Sequence, residues 1–142
     1  MPKEDFRFHH SLRIRWGECD AQGIVFNAQY LNLLEVAIAE YYREMGISLY
    51  ELDTRQIFDP VTARVTLEYK SPAKIDDVID IYMRISKTGT SSLNLVAEIY
   101  HSENNRLLTT AEIIYVAYDS ETGKSSPIPK SLKDIISAFE NL

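Results

Sequence analysis

Arg15-Trp16-Gly17-Glu18-Cys19-Asp20-Ala21-Gln22-Gly23-Ile24-Val25-Phe26-Asn27 runs straight into Ala28-Gln29-Tyr30-Leu31-Asn32-Leu33-Leu34-Glu35-Val36-Ala37-Ile38-Ala39-Glu40-Tyr41-Tyr42-Arg43-Glu44-Met45-Gly46, and this junction decides the fold. The second part reads as one long helix over 28–45. Tyr30, Leu31, Leu34, Ala37, Ile38, Tyr41, Tyr42 and Met45 fall on one broad stripe, with Gln29, Asn32, Glu40 and Arg43 opposite. Asn27 has the chemistry of an N-cap and Gly46 that of the residue just past a helix end. A stripe this wide needs a sheet to wrap it.

The flanking sequence supplies that sheet. Residues 8–16 alternate, with Phe8, Leu12, Ile14 and Trp16 on one side and His9, Ser11, Arg13 and Arg15 on the other, as in a half-buried strand. Ser48-Leu49-Tyr50-Glu51 has the spacing of a capping box and starts a short helix ending near Asp53. Then the period changes to two: Val61, Ala63, Val65, Leu67 and Tyr69 alternate with polar residues until Ser71-Pro72 stops the strand. Ile79, Ile81, Met83 and Ile85 point inward from a third strand, which turns at Thr88-Gly89-Thr90 into a fourth carrying Leu93, Leu95, Ala97 and Ile99. After a turn at Glu103-Asn104-Asn105, residues 107–118 are apolar on both faces over Ile113 to Ala117 and read as a central strand. Pro127-Ile128-Pro129 leads into a short helix with Leu132, Ile135, Ile136 and Phe139 on one face. The order gives an α+β fold, one antiparallel sheet of about five strands curved around one helix. Tyr82, Val96, Tyr100, Ile114 and Val116 stay on the outer face of the sheet, an apolar surface suited to a second subunit.

The whole chain bounds what this fold can do. Its 142 residues fit a single domain over 1–142, with a core large enough to need neither disulfide nor metal. A net charge of -6 argues against a broad nucleic-acid surface, and any phosphorylated ligand would need local Lys and Arg to hold it. Cys19 is the only cysteine, so no intramolecular disulfide forms and a reducing compartment is expected. The start of the chain carries both charges and no apolar run, which reads as a cytoplasmic protein without membrane insertion.

Chemistry is concentrated in the loop. Asp20 lies seven residues before Asn27, with Gly23 between them to turn the chain, so a carboxylate stands beside the unpaired N–H groups of a helix start. Those parts suit a thioester. The N–H groups of about residues 26 to 28 would receive the carbonyl oxygen, and Asp20 would attack it or activate water. A thiol leaves without a dedicated general acid. Other readings of the same residues stay open: Asp20 as a turn former, Glu18 as the working carboxylate, or Cys19 as a nucleophile with His9 or His10.

Trp16 to Leu31 resembles the signature of the 4-hydroxybenzoyl-CoA thioesterase family of hotdog-fold proteins, in which an aspartate precedes Gly-Ile-Val, an aromatic residue and the central helix. The likeness extends through Pro60-Val61, Tyr69-Lys70-Ser71-Pro72-Ala73, Gly89-Thr90-Ser91-Ser92 and Ile128-Pro129. It implies a hotdog fold and hydrolysis of an acyl-coenzyme A substrate, with Asp20 as nucleophile or general base and the backbone amide of Asn27 polarising the carbonyl. Gly23, Phe26, Tyr30, Ser91 and Ser92 are then the substrate-binding candidates. No metal or redox cofactor is implied, and the expected assembly is a homodimer or homotetramer. Asn27 stands where family members with an aromatic substrate carry Tyr and another branch carries His, so the acyl group is left open. A hotdog dehydratase of hydroxyacyl thioesters, which would want a histidine in the site, and a non-catalytic acyl-CoA binder or scaffold are the alternatives.

Overall fold

The computed structural model describes residues 3–54 and 58–142. Its strands are β1 (Phe8–Arg13), β2 (Pro60–Tyr69), β3 (Val78–Thr88), β4 (Ser92–His101), β5 (Leu107–Asp119) and the short β6 (Lys124–Ser125); its helices are α1 (Gln29–Glu44), α2 (Leu49–Thr54) and α3 (Lys130–Glu140). The sheet order is β1-β3-β4-β5-β2, antiparallel throughout, with β6 added to the end of β5. This is the hotdog arrangement of a curled sheet around one long helix. β6 carried too short a pattern to be read from sequence.

Helix α1 buries Tyr30, Leu33, Leu34, Ala37, Ile38, Tyr41 and Tyr42. Leu33 is buried, whereas Leu31, given an inward place by the sequence pattern, is 39% exposed. Each fully buried leucine contributes about 1.5–3 kcal/mol, so this stripe anchors the core. The helix ends as expected: Gly46, at φ 78°, donates its N–H to the Arg43 carbonyl, and Ile47 donates to that of Tyr42. That bond pair is the Schellman arrangement, and only a left-handed residue completes it without strain. The start differs from expectation. Ala28, not Asn27, is the N-cap, and no side chain caps the helix.

Strands β3 and β4 meet the alternation in full, with Ile79, Ile81, Met83, Ile85, Leu93, Leu95, Ala97 and Ile99 all buried. β4, not β5, is the central strand; β5 lies between β4 and the edge strand β2, with Ile113 and Ala117 buried on its inner face and Ile114 and Val116 half-exposed on the outer one. The first strand stops at Arg13. Trp16 lies in a 3-10 turn (Trp16–Glu18) and is 84% exposed, so it does not share the inward side of Phe8 and Ile14. β2 departs most. Its register shifts at Ala63, so Val61 opposes Val116 on the outer face while Val65 and Leu67 oppose Ile113 and Ala111 on the inner one. The bulge breaks the two-residue alternation read over Val61 to Tyr69.

The outer face is partly covered from within the chain. Phe6 packs edge-on against Tyr82 at 6.0 Å, and the Lys3 ammonium lies 5.0 Å from the Tyr82 ring centre and 4.9 Å from that of Tyr100. Val96, Ile114 and Val116 remain half-exposed. At the other side α3 buries Leu132 and Ile136, whereas Ile135, expected on the same face, is 40% exposed. The Tyr41 hydroxyl ties this helix in: it donates to buried Glu140 and accepts the Ile85 N–H at 2.9 Å, where β3 is bulged.

Candidate active site

Backbone bonds fix the loop before any side chain matters. Cys19 bridges Val25, Ile24 bridges Lys74, and Asp20 donates its N–H to the Ile24 carbonyl at 2.9 Å. The tight return needs Gly23, at φ 76°, whose N–H donates to the Asp20 carbonyl at 3.0 Å. Gly23 therefore shapes the loop and does not line the cavity beside it.

That cavity, about 440 Å³, has Asp20, Phe26, Asn27, Tyr30, Tyr69 and Ser71 among its walls. The structure thus brings Asp20, Phe26, Asn27 and Tyr30 together as expected from the sequence. Asp20 is half-buried, and its Oδ1 accepts the Gln22 N–H at 2.8 Å. The turn-forming role and the place on the cavity wall are both present, since one oxygen suffices for the turn. Among the described residues no group bonds Oδ2.

The donors at the helix start sort themselves. Phe26 N–H is taken by the Glu18 carbonyl at 3.0 Å and drops out of the expected set. Among the described residues, the N–H groups of Asn27 and Ala28 meet no acceptor within the chain; both residues are exposed, and Asn27 lies on the cavity wall. They sit where the partial positive charge of a sixteen-residue helix is concentrated. Tyr30 is 3% exposed, and burial pushes its phenol up, so it is a neutral floor for the cavity. Tyr69, which the sequence marks only as part of Tyr69-Lys70-Ser71-Pro72-Ala73 and not as a site residue, also lines the cavity. Its hydroxyl donates to the Asn27 carbonyl at 3.1 Å, and its ring meets that of Tyr30 edge-on at 5.4 Å.

The rival candidates lie elsewhere or are occupied. Glu18 is 6% exposed, with Oε1 on the Arg15 N–H at 2.7 Å and Oε2 on the Arg15 guanidinium at 2.8 Å. Burial pushes its pKa up, but the combined bonds and charge of Arg15 outweigh that and hold it below the ordinary range. Cys19 is half-buried, and burial, then the charges of Asp20, Glu18, Asp76 and Asp77, push its thiol up. None of the histidines lines the cavity: His9 stacks on Tyr82, and His101 Nε2 lies 3.4 Å from Asp77. Among the described residues no group of three or more His, Cys, Asp or Glu side chains is placed to hold a metal.

Ser91 and Ser92 are not brought to Asp20 within one chain. They adjoin Ala117 and Val116, whereas the cavity's Lys70 and Ser71 bond to Leu108 at the other end of β5. Those ends are roughly 26 Å apart at 3.3 Å per residue. A second cavity of about 300 Å³ on that side contains Glu35, Tyr42 and Tyr115. Burial, then Glu35, push Tyr42 up to about 12 and Tyr115 higher still.

With this geometry in place, comparison with known proteins is informative. The pattern of the thioesterase-like superfamily matches residues 14–136. The acyl-CoA thioester hydrolase YbgC of Escherichia coli is 31% identical over 125 residues, covering 88% of this chain and 92% of that protein. A 1,4-dihydroxy-2-naphthoyl-CoA hydrolase of Synechococcus elongatus is 26% identical, covering 92% and 93%. Among solved structures, a thioesterase from Thermus thermophilus complexed with coenzyme A and zinc superposes with a TM-score of 0.82 at 24% identity, covering 98% of each chain. Folds this similar at such identity establish the architecture.

Proposed function

As a member of the thioesterase-like superfamily, the chain is a thioester hydrolase, and we propose that it cleaves an acyl-coenzyme A to the free acid and coenzyme A with Asp20 as nucleophile or general base. The observation that carries this reading is that Asp20 borders one cavity with Asn27, whose N–H meets no acceptor among the described residues. The substrate carbonyl oxygen would rest on that amide. Asp20 would then attack the carbonyl carbon, giving an acyl-aspartyl anhydride that water hydrolyses to the free acid and restored Asp20, or it would take a proton from a water that attacks the carbonyl directly; in both cases the C–S bond breaks and its electron pair leaves with the coenzyme thiolate. Negative charge grows on the oxygen during attack, so donors fixed in advance help the transition state more than the bound substrate. Coenzyme A bound to the Thermus thermophilus relative, and the acyl-CoA substrates named for the bacterial relatives, support the choice of carrier. The lone, half-buried Cys19 suits a reducing, cytoplasmic setting, and among the described residues no helix is long and apolar enough to cross a membrane.

The active form in this reading is a homodimer or a homotetramer. β2 is an edge strand in which all residues but half-buried Leu67 are exposed, including Val61 at 40% and Val65 at 37%. An exposed edge with free ladder groups invites pairing with a second copy. Two-fold antiparallel pairing there would bring the Tyr69 end of one protomer to the Pro60 end of the other, and so the neighbourhood of Ser91 and Ser92 toward the partner's Asp20. Light scattering at micromolar concentration should find at least a dimer, and a stable monomer would remove this part of the reading.

Release of free thiol from acetyl-, octanoyl-, palmitoyl-, benzoyl- and 1,4-dihydroxy-2-naphthoyl-CoA tests the activity. Turnover of at least one is expected. Binding without release from any of them would instead favour a non-catalytic acyl-CoA binder.

A further inference from the structure

We propose that Asp77 is a positioning residue for Asp20, because it holds the turn of residues 73–77 to which the loop of Asp20 is bonded. The inference rests on the reading of Asp20 as the reacting carboxylate. Short bonds place Asp20 within its own loop: its N–H donates to the Ile24 carbonyl, and its carbonyl accepts the Gly23 N–H. Residues 23–25 are in turn bonded to residues 73–75. Val25 donates its N–H to the Ala73 carbonyl at 2.9 Å and Ile75 donates to that of Gly23 at 3.4 Å, on either side of the bridge between Ile24 and Lys74.

Asp77 governs where residues 73–75 lie. Its Oδ2 accepts the Lys74 N–H at 2.8 Å, and its own N–H donates to the Lys74 carbonyl at 3.1 Å. Between them Asp76 is left-handed, at φ 69°. A residue with a side chain keeps that conformation where its surroundings enforce it, so this turn depends on its bonds. The Lys74 N–H has no part in the bridge to Ile24, so its bond to the carboxylate is an additional tie, and a charge-assisted one. The carboxylate is located from the other side as well. Oδ1 lies 3.4 Å from His101 Nε2, and the N–H groups of Glu103 and Asn104 donate to His101 Nδ1 at 3.3 and 3.4 Å. A continuous path thus runs from the end of β4 through Asp77 and Lys74 to the loop of Asp20. A carboxylate that must meet a carbonyl carbon tolerates little displacement, and about 1 Å can cost about a hundredfold in rate.

A bond that merely steadied the fold would lower the melting temperature and leave kcat of the folded enzyme unchanged. The Gln22 N–H is a native probe of the difference, since it donates to Asp20 Oδ1 at 2.8 Å and its amide resonance in nuclear magnetic resonance spectra reports where that carboxylate stands. In folded Asp77→Ala this resonance should shift. With the best substrate of the acyl-CoA panel, kcat should fall about ten- to hundredfold while KM stays within about threefold. Asp77→Asn discards the charge but retains an oxygen for the Lys74 N–H. It should restore the Gln22 resonance and bring kcat to within about threefold of wild type, which assigns the effect to the bond and not to the field of the carboxylate. An unmoved Gln22 resonance in Asp77→Ala overturns the proposal, whatever kcat does. So does an unchanged kcat beside a shifted resonance, or an Asp77→Asn as slow as Asp77→Ala. Should Asp77→Ala fail to fold, Asp77→Glu replaces it, because the longer side chain carries its oxygens past the Lys74 N–H. A shifted Gln22 resonance and a fall in kcat of about threefold or more are then expected, and the absence of either overturns the proposal. If the wild-type protein releases no thiol from any acyl-CoA, or Asp20→Asn turns over normally, the reading of Asp20 has failed. If Asp20→Asn is slow and the Asp77 variants alone behave as wild type, the fault lies with Asp77.

Discussion

Glu18 and Asp20 are two carboxylates in one loop, and the structure gives them opposite tasks. Glu18 is 6% exposed with both oxygens held by Arg15, while Asp20 is half-buried, gives one oxygen to the Gln22 N–H and stands on a cavity wall. Spacing could not tell them apart, because both precede the same helix and both are acidic. What separates them is the set of partners. A carboxylate saturated by a guanidinium and a backbone amide is a fastener, whereas one with an unbonded oxygen facing a cavity can react.

The strongest way to break this contrast is Asp20→Asn. The amide oxygen still accepts the Gln22 N–H, so the loop should hold, and stability should move by less than about 0.5 kcal/mol. The reacting oxygen is gone, so kcat should fall about a hundredfold or more. Steady-state thiol release beside a thermal melt reads both. Near-normal turnover would return the chemistry to another group and end the distinction.

Glu18→Gln probes the other half. It weakens a pair whose carboxylate is buried but whose guanidinium is 74% exposed, so solvent screening places the expected loss at about 1–2 kcal/mol, below that of a fully buried pair. Activity per folded molecule should change little. The pH dependence is diagnostic. Glu18 has a folded pKa below its unfolded one, so its contribution is fully present above the unfolded value, about 4.3, and is lost as pH falls through the folded value. The stability gap between wild type and Glu18→Gln should therefore narrow in acid. Urea melts at neutral pH and in mild acid measure it, and a gap that widened would assign the wrong partner to Glu18.

Much of this was legible in the sequence because its signals were local. The stripe of α1, the Gly46 stop and the inward sets of β3 and β4 follow from side-chain period alone, and all are covered by neighbours in the same chain. β2 shows where such reasoning ends. Its alternation is as regular as that of β3, yet a bulge at Ala63 divides it, and all its residues but half-buried Leu67 stay exposed. Period reveals a strand, but whether its apolar side is buried depends on what packs there. The site was legible in the same measure: Asp20, Phe26, Asn27 and Tyr30 meet because they flank one turn and one helix start. Tyr69 joins them only through the sheet, 42 residues from Asn27 in sequence. Arg15 saturates Glu18 through a 3-10 turn that the extended reading of residues 8–16 hid.

A smaller effect is expected at Asn27. Its side chain makes no capping bond, and Ala28 holds the N-cap position, so Asn27→Ala should lose less than about 0.5 kcal/mol instead of the roughly 1 kcal/mol of a true cap. The Asn27 N–H is a backbone group and survives the change, so on the proposed mechanism kcat should be nearly unaffected. Thermal melts and thiol release together check this. A dead but folded Asn27→Ala would make the side-chain amide the donor and shift the site from backbone to side chain.

The smallest effect is expected at Cys19, which lies between the two carboxylates and so sharpens what each can do. A thiol reacts as thiolate, and a site that activates one surrounds it with positive charge. Here burial opposes ionisation, and Asp20, Glu18, Asp76 and Asp77 add negative charge around the sulfur. The Sγ lies 3.8 Å from the Arg15 carbonyl oxygen, a weak contact that a serine hydroxyl can replace. Cys19→Ser should therefore retain kcat to within about twofold, and iodoacetamide should label the wild-type thiol more slowly than free cysteine at the same pH. A folded Cys19→Ser that had lost activity, together with fast labelling, would mean that the thiol and not Asp20 attacks the thioester. Such a thiolate would have to form against the loop's negative charge, and the Arg15 guanidinium is already bound to Glu18.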